Sequence, residues 1–127
     1  MNSKQKGASG ERELAKLLRS QGYEDARRGV QYNGMYGDAD IVGVKGLHIE
    51  CKRAEAVRDE VFLQQAERDS RAGDVPVVMY RRNGEQWKAL MRQDFFMAIW
   101  SELSDSQKRN IKNKTKFFKK VGKVGQK

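Results

Sequence analysis

Cysteine and histidine are nearly absent from this chain of 127 residues, since each occurs once, as Cys51 and His48. One cysteine cannot form an intrachain disulfide, and such a composition is typical of a reducing cytoplasm. One cysteine with one histidine also excludes a zinc site of the usual Cys/His type. Long apolar runs are missing as well, so we predict no membrane span, and the opening MNSKQKGASGERE does not resemble a signal peptide.

Positive charge is plentiful and unevenly placed. The net charge is +9, and residues 104–127 hold nine lysines and arginines with one acid, Asp105. The remaining residues carry 17 basic and 16 acidic side chains, so they are almost neutral. We therefore predict one domain over residues 1–103 and a basic tail over 104–127. The tail favours a polyanion, and nucleic acid is preferred because the long apolar face of a membrane-surface helix is missing. A solvated extension is the alternative.

Apolar residues recur at helical spacing in several segments. We expect helices at 10–21, 59–72 and 94–103, and a weaker helix at 104–120. Ser9 and Asp94 are the expected N-caps. In the second helix Phe62 and Ala66 should face inward, with Leu63 as a further candidate.

Five segments have the composition and alternation of strands. They are 23–28, 39–44, 47–53, 75–82 and 86–92. The turn signals Lys45-Gly46 and Asn83-Gly84 predict two hairpins. The order of elements predicts an α/β fold with a central mixed sheet of about five strands and helices on both sides.

The predicted hairpin GDADIVGVKGLHIECK brings together acidic and basic side chains. Alternation along LHIECK puts His48, Glu50 and Lys52 on one face of the strand and leaves the apolar residues for the core. Because the connecting turn is short, Asp40 on the neighbouring strand can lie beside Glu50. Asp38 and His48 stay open as further candidate site residues. For His48 the alternative is a polar residue on the surface.

Such a group is suited to hydrolysis of a phosphodiester. Two neighbouring carboxylates repel each other unless a cation lies between them, and Mg²⁺ binds through one or two carboxylates plus waters and phosphate oxygens. The metal acidifies water, and a nearby lysine can stabilise developing charge. The alternative is a pair of loop acids with an exposed cross-strand ion pair at Glu50 and Lys52.

The motifs resemble those of the PD-(D/E)XK nuclease superfamily, and within it the archaeal-type Holliday junction resolvases and their phage relatives. The segment KGASGERELAKLLRSQGY is similar to the family's opening helix, and DIV at Asp40–Val42 resembles its first strand motif. Glu50-Cys51-Lys52 resembles the ExK motif, and QQAERD resembles the following helix, where we choose Gln65 over Gln64. The resemblance covers about residues 6–100.

The resemblance implies a restriction-endonuclease-like core and a metal-dependent DNA endonuclease, acting in a bacterial, archaeal or phage-infected host cell. It implies Mg²⁺ or Mn²⁺ held by Asp40, Glu50, the carbonyl of Cys51 and Glu11. The implied catalytic residues are Glu11, Asp40, Glu50, Lys52 and Gln65. The resemblance also implies a homodimer with one site per subunit, which would make the two symmetric cuts that a four-way junction requires.

Contacts with DNA are expected from basic side chains around this group. The candidates are Lys4, Lys6, Arg27, Arg28 and Arg53. The loop GVQYNGMYG is a further candidate for contact with a junction. Alternative functions are a nuclease for flaps, nicks or duplex, a non-catalytic basic DNA-binding protein, and an RNA-binding protein.

Overall fold

The computed structural model describes the backbone of residues 3–29 and 39–125, and the side chains of residue 5 and of residues 7–29 and 39–116. Its elements, in chain order, are α1 (Ser3–Ser20), β1 (Arg27–Arg28), β2 (Ile41–Val42), β3 (Leu47–Arg53), α2 (Asp59–Asp69), β4 (Val75–Arg81), β5 (Lys88–Leu90), α3 (Gln93–Ser101) and α4 (Asp105–Gly125). The chain divides into two compact units, residues 1–92 and 93–127.

The first unit is built on a five-stranded mixed sheet in the order β1-β2-β3-β4-β5. Only β3 and β4 are parallel, and the other neighbours pair antiparallel. Two parallel neighbours need a long crossover, and α2 provides it. The predicted sheet and both predicted hairpins are confirmed, and Gly46 and Gly84 adopt the positive φ that their turns require.

The two helices of this unit bury different side chains of the sheet. On α1, Leu14 and Leu18 belong to a core cluster with Ile49 and Val77, whereas Leu63 and Ala66 of α2 pack with Val78. Successive residues of a strand point to opposite faces, so Val77 and Val78 place the helices on opposite sides. The central strand β3 is therefore covered on both faces.

Several predicted boundaries are wrong. The first helix begins at Ser3, so Ser9 lies inside it and is not its N-cap. The strand predicted at 39–44 contains only Ile41 and Val42, because Gly43 adopts a φ of 90° and ends it. The strand predicted at 23–28 contains two residues, since Tyr23 is exposed and most of the segment does not pair. Inside α2, Leu63 is buried more deeply than Phe62.

The second unit consists of α3 and α4. Helix α3 begins at Gln93, so Asp94 lies in its first turn and does not cap it. At the start of α4, the backbone N–H of Gln107 donates to Ser104 Oγ (3.1 Å), and the backbone N–H of Ser104 donates to Gln107 Oε1 (2.7 Å). This reciprocal pair is a capping box, which stabilises the first turn of a helix. The predicted tail helix therefore forms and continues to Gly125.

Candidate active site

Strand register brings two acids together in the first unit. Ile41 of β2 pairs with Ile49 of β3, which places Asp40 opposite Glu50. The backbone N–H of Cys51 donates to Asp40 Oδ2 (2.8 Å), and the carboxyl groups of Asp40 and Glu50 share a hydrogen bond. The neighbouring positions expected from the sequence are therefore present in the structure.

The two carboxyl groups have opposite pKa shifts. Burial, together with the hydrogen bond and the charge of Glu50, raises the pKa of Asp40 to about 8, against the opposing hydrogen bond from the backbone N–H of Cys51. For Glu50, burial favours the neutral form, but hydrogen bonds with His48 and Asp40 outweigh it and lower the pKa. Two close carboxyl groups cannot both ionise easily without a cation, so without a metal the pair holds one proton near neutral pH.

His48 is a buried partner of this pair. It is 2% exposed, Glu50 is 3% exposed, and His48 Nε2 donates to Glu50 Oε1 over 2.8 Å. The expectation that His48 lies on the surface is wrong, because both faces of the central strand are covered by helices. The same cover explains why Glu50 is buried, which excludes the alternative of an exposed ion pair between Glu50 and Lys52. Buried charges in proteins are paired or coordinate metals, and Glu50 has His48 as one partner.

Helix α2 positions the lysine of the ExK motif. Lys52 Nζ donates to Gln65 Oε1 (3.0 Å) and lies 5.3 Å from the centre of the Phe62 ring. Gln64 instead points to the helix surface, where it donates to Glu60 (3.4 Å). Of the two glutamines, the structure therefore brings Gln65 to Lys52. Phe62 was not among the candidate site residues, and its spacing in the sequence indicated only a core position.

Glu11 approaches the acid pair from α1. Its charge contributes to the raised pKa of Asp40 and of the Cys51 thiol, and its carboxylate accepts a hydrogen bond from Arg28 Nε (2.9 Å). Burial is the main cause of the raised pKa of Cys51, so this half-buried thiol stays neutral. Arg28 is thus tied to an acid next to the site.

The other basic candidates differ in their surroundings. Arg27 is exposed, whereas Arg53 packs against Gly10 and donates to Asn83 Oδ1 (2.9 Å). Lys4 and Lys6 belong to the first turns of α1, but their side chains lie outside the described residues. Asp38 and the loop segment 30–37 lie outside the described residues too. DNA contact by all of these remains a prediction.

The donor set fits a divalent cation with few protein ligands. Among the residues that the structure describes, no group of three or more His, Cys, Asp or Glu side chains could hold a metal ion. Mg²⁺ needs only one or two carboxylates, since waters and phosphate oxygens complete its shell. Asp40 and Glu50 meet this need, and their shared proton marks the place where a cation would relieve repulsion.

The chain was also compared with known proteins. A family model described as "Phage putative PDDEXK endonuclease" matches residues 2–124. The chain belongs to this family. No curated protein and no solved structure shows significant similarity to it.

Membership confirms the superfamily resemblance and identifies the chain as a nuclease of the PD-(D/E)XK type with a restriction-endonuclease-like α/β core. The match continues through α4 to residue 124, so it includes the basic helix, which lies beyond the residues, about 6–100, that carry the motif resemblance. Nucleases of this type use divalent metal ions and act on DNA. Within the described part of the chain, no helix is long and apolar enough to cross a membrane.

The pKa of Asp40 gives a prediction for stability. A folded-state pKa of about 8, above the unfolded value near 4, stabilises the metal-free protein at low pH, and this stabilisation is lost as the pH rises toward 8. The lowered pKa of Glu50 makes the stability depend on pH only near and below pH 4.5. Each pH unit between the unfolded and folded pKa values costs the wild type about 1.4 kcal/mol. We therefore expect the free energy of unfolding of Asp40→Asn to exceed that of the wild type by about 4 kcal/mol more at pH 9 than at pH 5.

Denaturant titration of both proteins in a chelator, across this pH range, measures the effect. Adding Mg²⁺ at pH 8 should raise the unfolding midpoint of the wild type and leave that of Asp40→Asn unchanged. A difference between the two proteins that does not vary with pH would contradict the shared proton.

Proposed function

We propose that this nuclease is a structure-specific DNA endonuclease that uses Mg²⁺ or Mn²⁺ and resolves Holliday (four-way) junctions by paired phosphodiester hydrolysis. The observation that carries the hydrolytic part is the contact between the carboxyl groups of Asp40 and Glu50, next to the Lys52–Gln65 pair. The junction preference rests on the resemblance to archaeal-type resolvases in the opening helix, the DIV strand and the ExK motif.

The position of each residue indicates its role in the proposed reaction. Asp40 and Glu50 would hold the cation, together with the carbonyl of Cys51 and with help from Glu11. When bound, the cation supplies acidified water and neutralises phosphate charge. Lys52, fixed by Gln65, would orient the water and stabilise the charge that develops on the phosphate as the bond to the 3′ oxygen breaks. The products are a 5′-phosphate and a 3′-hydroxyl.

A homodimer completes the proposal. Two of the four strands of a four-way junction must be cut at symmetric positions, and a two-fold dimer with one site per subunit provides such a pair of sites. Recognition would then depend on the shape and backbone of the junction and not on base edges. Arg27 and Arg28 lie on β1 and are exposed, which suits contact with phosphates near the site.

The proposal is tested with a labelled four-way junction and a linear duplex of the same sequence. We expect wild-type protein with Mg²⁺ to cut the junction symmetrically and at least tenfold faster than the duplex, and to cut neither DNA in a chelator. Asp40→Asn should cut neither with Mg²⁺. Equal rates on junction and duplex would remove the junction preference, and cleavage without any metal would remove the metal-dependent mechanism.

The contact between Lys52 and Gln65 gives a matched pair of variants. Gln65→Leu removes the acceptor that fixes the ammonium group, so cleavage should fall by about 10–100-fold, the usual effect of losing a residue that orients a catalytic group. Gln64→Leu makes the same exchange one residue away, on the helix surface, and should leave the rate within about twofold. Initial cleavage rates with Mg²⁺ measure both. Equal losses in the two variants would show that the change acts through helix stability.

A further inference from the structure

The second unit, which the proposed mechanism does not use, carries stacked aromatic rings. Phe96 and Trp100 lie one helical turn apart on α3, with ring centres 6.3 Å apart and planes inclined by 17°. Phe96 is 51% exposed, so the ring pair is open to solvent on the Phe96 side. Phe95, although adjacent in sequence, points about 100° away around the helix. An open ring pair of this kind offers a flat apolar surface.

A row of cations borders these rings. Lys108, Lys112 and Lys116 recur every four residues along α4, and all three line a groove of about 510 Å³ together with Trp100 and Ile111. Lys108 Nζ lies 5.7 Å from the centre of the Trp100 ring. Four residues of helix span about 6 Å, so the lysines form a regular line of positive charge. Among the described side chains, none of the three is in an ion pair with an acid.

Charge decides between the possible occupants of this surface. Residues 93–127 hold nine basic side chains and three acids, Asp94, Glu102 and Asp105. A second copy of the unit would bring two strongly positive surfaces together, which disfavours self-association through α4. A polyanion is attracted by the same charge. Bases inside a duplex already stack on each other, whereas unpaired bases are free to stack on an aromatic ring.

We propose that α3 and α4 form a binding site for single-stranded DNA, in which an unpaired base stacks on Phe96 and successive phosphates contact Lys108, Lys112 and Lys116. The inference rests on the proposed function only in taking DNA as the substrate. In this inference the basic helix binds the single-stranded segments, with unpaired bases, that branched DNA exposes. Aromatic stacking combined with a basic track is the usual chemistry of single-strand binding.

Binding is measured with the full-length protein in a chelator, so that no cleavage occurs. Fluorescence anisotropy of a labelled 15-nucleotide oligothymidylate gives the affinity at several salt concentrations, and tryptophan fluorescence reports stacking beside Trp100. We expect binding of the oligonucleotide to quench tryptophan emission. We expect a duplex of equal length to bind at least fivefold more weakly at the same salt concentration.

Two matched pairs of variants locate the site. Phe96→Leu should weaken binding about tenfold and reduce the quenching, whereas Phe95→Leu should change the affinity by less than twofold. Lys112→Gln should lower the slope of log affinity against log salt by about 0.7, the value for one phosphate contact on a single strand. Lys114→Gln removes the same charge from the opposite face of α4 and should leave the slope unchanged. Circular dichroism checks that each variant keeps its helices.

Several results would overturn the inference. They are equal losses within either pair, equal or tighter binding of the duplex, tighter binding of an oligouridylate RNA of the same length, and a change from dimer to monomer in Phe96→Leu without DNA. The last result would identify the ring pair as a contact between copies of the chain. Binding is measured without metal, so a lack of binding would overturn this inference and not the proposal of Mg²⁺-dependent cleavage. Conversely, loss of cleavage in Asp40→Asn would not affect the binding measurement.

Discussion

Glu50→Gln should lower the rate of Mg²⁺-dependent DNA cleavage by about 10³-fold while the protein stays folded. Glutamine has the shape of glutamate and can still accept the hydrogen bond from His48, so the packing of β3 is kept. What is lost is the negative charge that a cation next to Asp40 requires. The removal of one of two neighbouring acids also relieves repulsion, so thermal stability should be equal to or above that of the wild type. Initial cleavage rates and a thermal unfolding curve measure both effects.

Glu24→Gln is the control for this exchange, because Glu24 is exposed and the site does not include it. It should cleave at the wild-type rate. If Glu50→Gln kept both full cleavage and its affinity for Mg²⁺, the acid pair would be a structural feature. The chain would then be a non-catalytic basic DNA-binding protein, the alternative that the sequence left open.

The sequence predicted which side chains lie close together better than it predicted where the helices and strands begin and end. Alternation within LHIECK and the short turn at Lys45-Gly46 depend on local geometry, and both set the position of Glu50 opposite Asp40. The choice of Gln65 over Gln64 came from the family resemblance, and the structure brings Gln65 to Lys52. Motifs of this kind can be recognised in a sequence because strand alternation and turn length determine which side chains lie next to each other.

Burial was harder to predict, since it depends on tertiary packing. His48 lies between the apolar residues Leu47 and Ile49, but alternation along the strand places it on the face opposite to theirs, so its polar side chain suggested a surface position. The cover of β3 on both faces by α1 and α2 explains its 2% exposure. Phe62 had the spacing of a core residue, and its contact with Lys52 arises from the crossover between β3 and β4. Single-sequence patterns carry no information about which helix covers which face.

The ends of elements depended on glycines whose surroundings lie far away in the sequence. Ser9 resembled an N-cap, yet α1 continues through it, and Gly10 inside this helix faces the side chain of Arg53. A Cβ at position 10 would meet Cγ and Cβ of that arginine, so the arginine side chain would have to shift. The predicted strand at 39–44 ends early because of Gly43. A Cβ at this position would meet the backbone of Asp25, which cannot move aside as a side chain can.

Gly43→Ala should lower the free energy of unfolding by about 3 kcal/mol. Its φ of 90° belongs to the left-handed region, which costs an L-residue about 1–2 kcal/mol. A Cβ at this position would also lie 2.0 Å from the carbonyl oxygen of Asp25, so the segment before β1 would have to shift, at a cost typical of overpacking, about 1–3 kcal/mol. Urea denaturation at neutral pH measures the change.

Gly46→Ala separates the two contributions. Gly46 has nearly the same φ, 89°, but a Cβ there would meet nothing within 4 Å, so only the conformational cost of about 1–2 kcal/mol should remain. The difference between the variants measures the close approach of Asp25. Because Gly43 follows β2 directly and Asp40 precedes it, that shift should also move Asp40 away from Glu50 and reduce cleavage in Gly43→Ala alone. Equal destabilisation with equal cleavage in both variants would mean that the contact with Asp25 does not hold β2, and with it Asp40, in place.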